Sequence, residues 1–182
     1  MKIVAISGSL RRASSNSALL RTAETVAPPG MRFVFYDGLE SLPHFNPDRD
    51  GDDPGQAVVD FRALLASADG VVVSSPEYVH GVPGALKDAL DWIVSTGELS
   101  GKPLLLLNAS ISGGAHAQAS LKETLSVMEA EVLPSSLMEP FVRARIDPQR
   151  GIDDPVVLDA LRSSLQALAA AVHAKAAAKP AD

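Results

Sequence analysis

The sequence predicts a doubly wound α/β fold on a five-stranded parallel sheet, and three observations carry that expectation. Short apolar runs recur along the chain, and segments with helical spacing separate them. The runs are continuous rather than alternating, as strands covered on both faces require. Each right-handed crossover between parallel strands needs a returning helix, so five strands alternating with five helices imply helices on both faces of one sheet.

The strands are expected at "KIVAIS" (2–7), "MRFVFY" (31–36), "GVVVSS" (70–75), "PLLLLN" (103–108) and, less sharply, "EVLPSSL" (131–137). The first helix follows from Leu19, Leu20, Ala23 and Val26, the second from Val58, Phe61, Leu65 and Ala68. Leu86, Leu90 and Ile93 mark a third, and Leu121, Leu125 and Met128 a fourth. Leu158, Leu161, Leu165, Leu168 and Val172 mark the fifth. Pro83 and Pro155 suit first helical positions, the latter behind Asp154 as N-cap. With five strands, the flavodoxin-like order 2-1-3-4-5 is expected, and its ligand crevice lies where strands 1 and 3 end. The connection 37–56 is rich in Pro, Gly and Asp and longer than the ~2–6 residues usual in such folds. It either borders the site or a partner subunit or is a solvated acidic loop.

A chain of 182 residues is sized for a single domain over 1–182, with about 174–182 as a frayed tail. No apolar run approaches the ~20 residues that span a bilayer, and "MKIVAISGS" leads into structure rather than a cleavage site, so a cytoplasmic protein without a membrane partner is expected. A net charge of −6 argues against nucleic acid, whose binding requires a basic face. With no cysteine, thiolate nucleophiles, disulfides and thiolate metal sites are excluded, and any redox chemistry belongs to a bound cofactor. His44, His80, His116 and His173 show no metal-ligand spacing, and no catalytic acid–base set stands out.

Behind the first strand comes "GSLRRASSN" (8–16). A loop that leaves a strand and starts a helix presents unpaired N–H groups and the positive end of the helix dipole. Gly8 allows a sharp turn. Ser9, Ser14, Ser15 and Asn16 are donors to phosphate oxygens, and Arg11 adds a forked, permanent charge. A plainer reading makes Ser15 or Asn16 an N-cap and both arginines solvated surface, which is where Arg12 is expected. The full set in this place favours a phosphate. The loop lacks both GxxxxGK[ST] and GxGxxG, so a mononucleotide monophosphate fits better than a triphosphate or a dinucleotide.

The third strand ends in "SSPEYVHGVPGALKDALDWI" (74–93), where Pro76, Pro83, Gly81 and Gly84 restrict the loop and bring main chain close to the crevice. Together, "GSLRRASSN" and "SPEYVHGVPGALKDALDW" resemble the GSxRxxSxN and PEYNxxxPGxLKNAIDW segments of the NADPH-dependent FMN reductase family, flavodoxin-like quinone, azo-dye and chromate reductases. The resemblance implies that Ser9, Arg11, Ser14 and Asn16 hold the FMN phosphate, with Ser15 contributing main chain. Pro76, Glu77, Tyr78 and Val79 line the isoalloxazine ring, largely through backbone. Ser110 and Gly113, in "NASISGG" (108–114), lie at the ring edge. Val79 and Asp88 stand where the family commonly has asparagine. Asp88 is expected on the helix surface, and Trp92 and Leu90 in the core or a subunit contact.

The family implies an NAD(P)H-dependent oxidoreductase that passes electrons through FMN to a quinone, azo compound, metal oxyanion or free flavin by a ping-pong mechanism, as a homodimer or homotetramer. Two other readings of the residues remain open, a flavodoxin-type electron carrier without direct NAD(P)H oxidation and a non-redox mononucleotide-binding module. His80 lies beside the expected ring wall without an assigned role.

Overall fold

The computed structural model describes residues 1–51, 53–109, 113–134, 146–147 and 151–178. Its central sheet joins β1 (Lys2–Ser7), β2 (Arg32–Tyr36), β3 (Gly70–Ser74), β4 (Pro103–Leu107) and β5 (Glu131–Val132), all parallel, in the expected order β2-β1-β3-β4-β5. Every residue of β3 and β4 is buried, which explains why their sequences are unbroken apolar runs. β2 lies at an edge and is only partly covered. The strand expected over 131–137 is described for two residues, with Leu133 N still donating to Leu104 O at 2.8 Å; residues 135–137 lie outside the described ones.

Helices α1 (Ser15–Thr25), α2 (Gln56–Ala66), α3 (Gly84–Asp91), α4 (Ala115–Val127) and α5 (Pro155–Ala178) cover the sheet. Alternation along the strands splits the core in two. Ile3, Ala5, Val72, Leu105 and Leu107 face α1 and α5, while Val4, Ile6, Val71, Val73, Leu104 and Leu106 face α2, α3 and α4. α5 begins at Pro155, and the Asp154 carboxylate accepts from Val156 N and Val157 N, the expected cap. It continues to Ala178, through the part of the tail expected to fray, with Lys175 Nζ donating to Gly101 O at 2.5 Å. By length and composition α5 passes as a membrane span, yet Leu161, Leu165 and Leu168 are fully buried in the core.

A small antiparallel hairpin, β6 (Ile146–Asp147) and β7 (Gly151–Ile152), was not anticipated. It rests on α1, where Thr22 Oγ1 accepts from Ile152 N at 3.2 Å. Gly151 has φ +84°, and a Cβ there would stand 2.8 Å from that hydroxyl oxygen. "IDPQRGI" carries turn chemistry between two isoleucines, the one signal available in the sequence.

Connection 37–56 is pinned to the helices. Trp92, fully buried, donates Nε1–H to Pro43 O at 2.8 Å and meets Phe45 edge-on at 5.1 Å. Asp88 proves to be an anchor rather than plain helix surface. Its Oδ2 lies 2.8 Å from His44 Nδ1, and its Oδ1 accepts from Phe45 N at 3.3 Å. Arg62 bridges Asp50 Oδ1 at 2.5 Å and the Trp92 carbonyl, with both ionic side chains largely buried.

The hydrogen bond from Arg62 holds the Asp50 carboxyl below the usual carboxylate range, outweighing the upward push of burial. The stability this pair contributes is therefore complete above the unfolded value of ~3.9 and is lost as pH falls through the lower folded value. Amide exchange of residues 43–50 is expected to accelerate in that acid window in the wild type, and in Asp50→Asn to be fast at neutral pH already. Equal protection of the two proteins at neutral pH would count against the bridge as the anchor.

Candidate functional site

β1 and β3 are neighbours in register, with Ser7 opposite Ser74, so the loops that follow them leave the sheet side by side. Gly8 N donates to Ser74 O at 2.8 Å, tying the first loop to the end of β3. A Cβ at Gly8 would stand 2.9 Å from Ser75 Oγ and 3.0 Å from Leu86 Cδ2. The chain bends at Gly8, as expected from sequence, and there the absence of a side chain also eases close packing against the second loop, at a φ that is not positive.

The first loop is organised around hydroxyls. Ser9 N and Ser17 Oγ both donate to Ser7 Oγ, at 3.3 and 3.0 Å. Ser14, rather than Ser15 or Asn16, is the N-cap of α1: its Oγ accepts from Ser17 N at 3.3 Å and its carbonyl from Ala18 N. The N–H groups of Ser15 and Asn16 are first-turn donors with no intrahelical acceptor. Ser74 Oγ donates to Asn16 Oδ1 at 2.9 Å inside the protein, which leaves the Asn16 NH₂ end as a pure donor. Arg11 takes part in none of the ion pairs among the described residues.

The second loop brings a carboxylate to the same place and ties it to a helix end. Glu77 Oε2 accepts from Ala117 N in the first turn of α4 at 2.8 Å, and so caps a helix whose own N-cap, Gly114, has no side chain to do so. Asn108 Nδ2 donates to Gly113 O, fixing the entry to α4.

Ser9, Arg11, Ser14, Ser15, Asn16, Pro76, Glu77 and Tyr78 converge on one cleft, joined by Ala109. Ala109 was missed by sequence reasoning, although its position just past the end of β4 on the same sheet edge is a usable signal. Gly113, expected at the ring edge, and Val79, expected in the wall, are not brought to this lining. Gly113, at φ +83°, leads into α4, and Val79 is fully exposed at the tip of a turn in which Tyr78 and Gly81 exchange hydrogen bonds of 3.1 and 2.9 Å. Ser110 lies outside the described residues. Donors from a helix start, one unpaired guanidinium and a carboxylate already engaged elsewhere fit a phosphate dianion at the α1 end of the cleft.

The strand order is flavodoxin-like. A flavoenzyme NAD(P)H:(acceptor) oxidoreductase of Paracoccus denitrificans has the same fold, with a TM-score of 0.80 over 95% of this chain and 97% of that one, at 23% identity. The family model for NADPH-dependent FMN reductase matches residues 1–143, and the chain belongs to that family. A quinone reductase of Escherichia coli is 33% identical over 92% of this chain and 93% of its own length. An NAD(P)H-dependent FMN reductase of Pseudomonas aeruginosa is 35% identical over the same shares. The protein is therefore an oxidoreductase whose cofactors are FMN and NAD(P)H.

Val79 and His80 hold φ of +50° and +60°, and for a β-branched residue that region is strained. Val79→Asn, which tolerates it, is expected to raise unfolding stability by about 1 kcal/mol in urea titrations. A loss of stability would show that the turn is not strained at this position.

Proposed function

We propose that the protein passes electrons from NAD(P)H through FMN to a small acceptor, with quinones the leading class and azo compounds, metal oxyanions and free flavin as alternatives. The convergence of the β1 and β3 loops on one cleft, supplied with donors at its α1 end, is the observation that carries this reading. The two relatives whose names describe a quinone reductase and an FMN reductase support it.

The chemistry FMN supplies when bound is hydride acceptance from a nicotinamide and onward electron transfer. Ser9, Arg11, Ser14, Asn16 and the Ser15 N–H would hold the phosphate. Pro76, Glu77, Tyr78 and Val79 would wall the ring, largely through backbone, with Ser110 and Gly113 at its edge. By pinning Asn16 Oδ1, Ser74 orients the donor end of that side chain before any ligand arrives. Glu77, held by α4, keeps wall and ring edge at a fixed separation. Donor and acceptor would use the site in turn, in a ping-pong sequence. The whole chain, 1–182, acts as one domain in the cytoplasm, where the nicotinamide donor is. A homodimer or homotetramer is part of the same proposal, supported by half-exposed Leu10 and Tyr78 beside a groove that Pro83, Gly84 and Ala85 help to line.

Arg11→Ala is expected to weaken FMN by about 1.5–3 kcal/mol in a fluorescence titration, the usual worth of a charged hydrogen bond; unchanged affinity would remove Arg11 from the cradle. Purified protein mixed with FMN, NADPH and a quinone should consume the nicotinamide absorbance rapidly, with parallel initial-rate lines as donor and acceptor are varied. Intersecting lines would reject the ping-pong order, and silence would favour an electron carrier.

A further inference from the structure

We propose that His80 and His116 form a two-imidazole chelating site for a divalent transition metal of the Zn²⁺ or Ni²⁺ class at the rim of the cleft. The site involves no flavin and stands or falls apart from the reading above.

The two rings come from different elements, the turn after β3 and the first turn of α4, yet their centroids lie 4.2 Å apart with planes inclined at 51°. Both side chains are exposed. Among the described residues no hydrogen bond or ion pair engages a ring nitrogen of either, whereas His44 is held by Asp88. Neutral imidazole is the commonest protein ligand for these ions, bound at ~2.0–2.1 Å, so two rings must converge closely to share one ion. Rotation of two exposed side chains about their torsions completes that approach.

The convergence is maintained against strain. Asn-Gly or Gly-Gly would make the turn at residues 79 and 80 without cost, whereas Val79 and His80 adopt positive φ, locked by the paired Tyr78 and Gly81 bonds. Backbone held in such regions concentrates where a side chain must be presented in one direction. Here that direction brings His80 onto His116.

Charge selects a cation over an anion. Glu77 sets its carboxylate on Ala117 N, the residue after His116 in the chain, and so occupies a helix-end N–H that would otherwise attract an anion. Two imidazoles alone leave the remaining coordination positions to water, which makes the proposed site exchangeable rather than structural. Glu77 and Tyr78, in the same loop as His80, line the cleft.

Titration calorimetry of the flavin-free protein with Zn²⁺, in excess Mg²⁺, tests the site. One Zn²⁺ per chain is expected, without competition from the hard, oxygen-seeking Mg²⁺. His80→Asn and His116→Gln should each weaken binding at least ~10-fold, the loss that removal of even an outer-shell partner causes, while His173→Gln leaves it unchanged. Circular dichroism verifies that each variant is folded. In the wild type, Zn²⁺ should shift the imidazole ¹⁵N resonances of His80 and His116. Absence of Zn²⁺ uptake, single variants that bind as the wild type does, or shifts confined to His44 and His173 would each overturn the proposal.

Discussion

Ser7 and Ser74 lie side by side at the ends of β1 and β3, and the Gly8 N–H donates to the Ser74 carbonyl. That in-register parallel pairing sets the separation between the first and second loops, and a Cβ at Gly8 would press on the side chains of Ser75 and Leu86. The same seryl residue reaches across with its hydroxyl to Asn16 Oδ1. One strand end thus positions the backbone of one loop and a side chain on the helix behind it. A buried hydroxyl–amide contact of this kind is favourable only when both groups are paired, so it resists rearrangement more than a surface contact would.

The charge distribution follows from that geometry. Helix starts α1 and α4 both point their N–H groups toward the sheet edge where β1, β3 and β4 end. One of them is capped at long range by Glu77, and the other, capped by Ser14, keeps its first-turn N–H groups for an incoming group. The cleft therefore has a donor-rich end and an end already balanced by protein charge.

Behind the site, the long connection 37–56 is held by Trp92, Asp88 and Arg62. All three lie in or near the helices that pack on the α2–α4 side of the sheet, so the connection braces α3, which starts at the far end of the second loop. Its two short 3₁₀ turns, Leu39–Ser41 and Pro47–Arg49, supply local order that its Pro- and Asp-rich composition does not advertise.

Local chemistry was enough to read the strands, the helices, the sheet order and most of the cleft. Unbroken apolar runs mean burial on two faces, helical spacing means a covered stripe, and loops that follow neighbouring parallel strands share one cleft. Tertiary structure decided the rest. The reach of Glu77 to α4, the anchoring of the long connection by Asp88, the hairpin seated on Thr22 and the meeting of His80 with His116 all join residues far apart in the chain. Such contacts leave no periodic trace, since periodicity records which face of an element is covered and not what covers it.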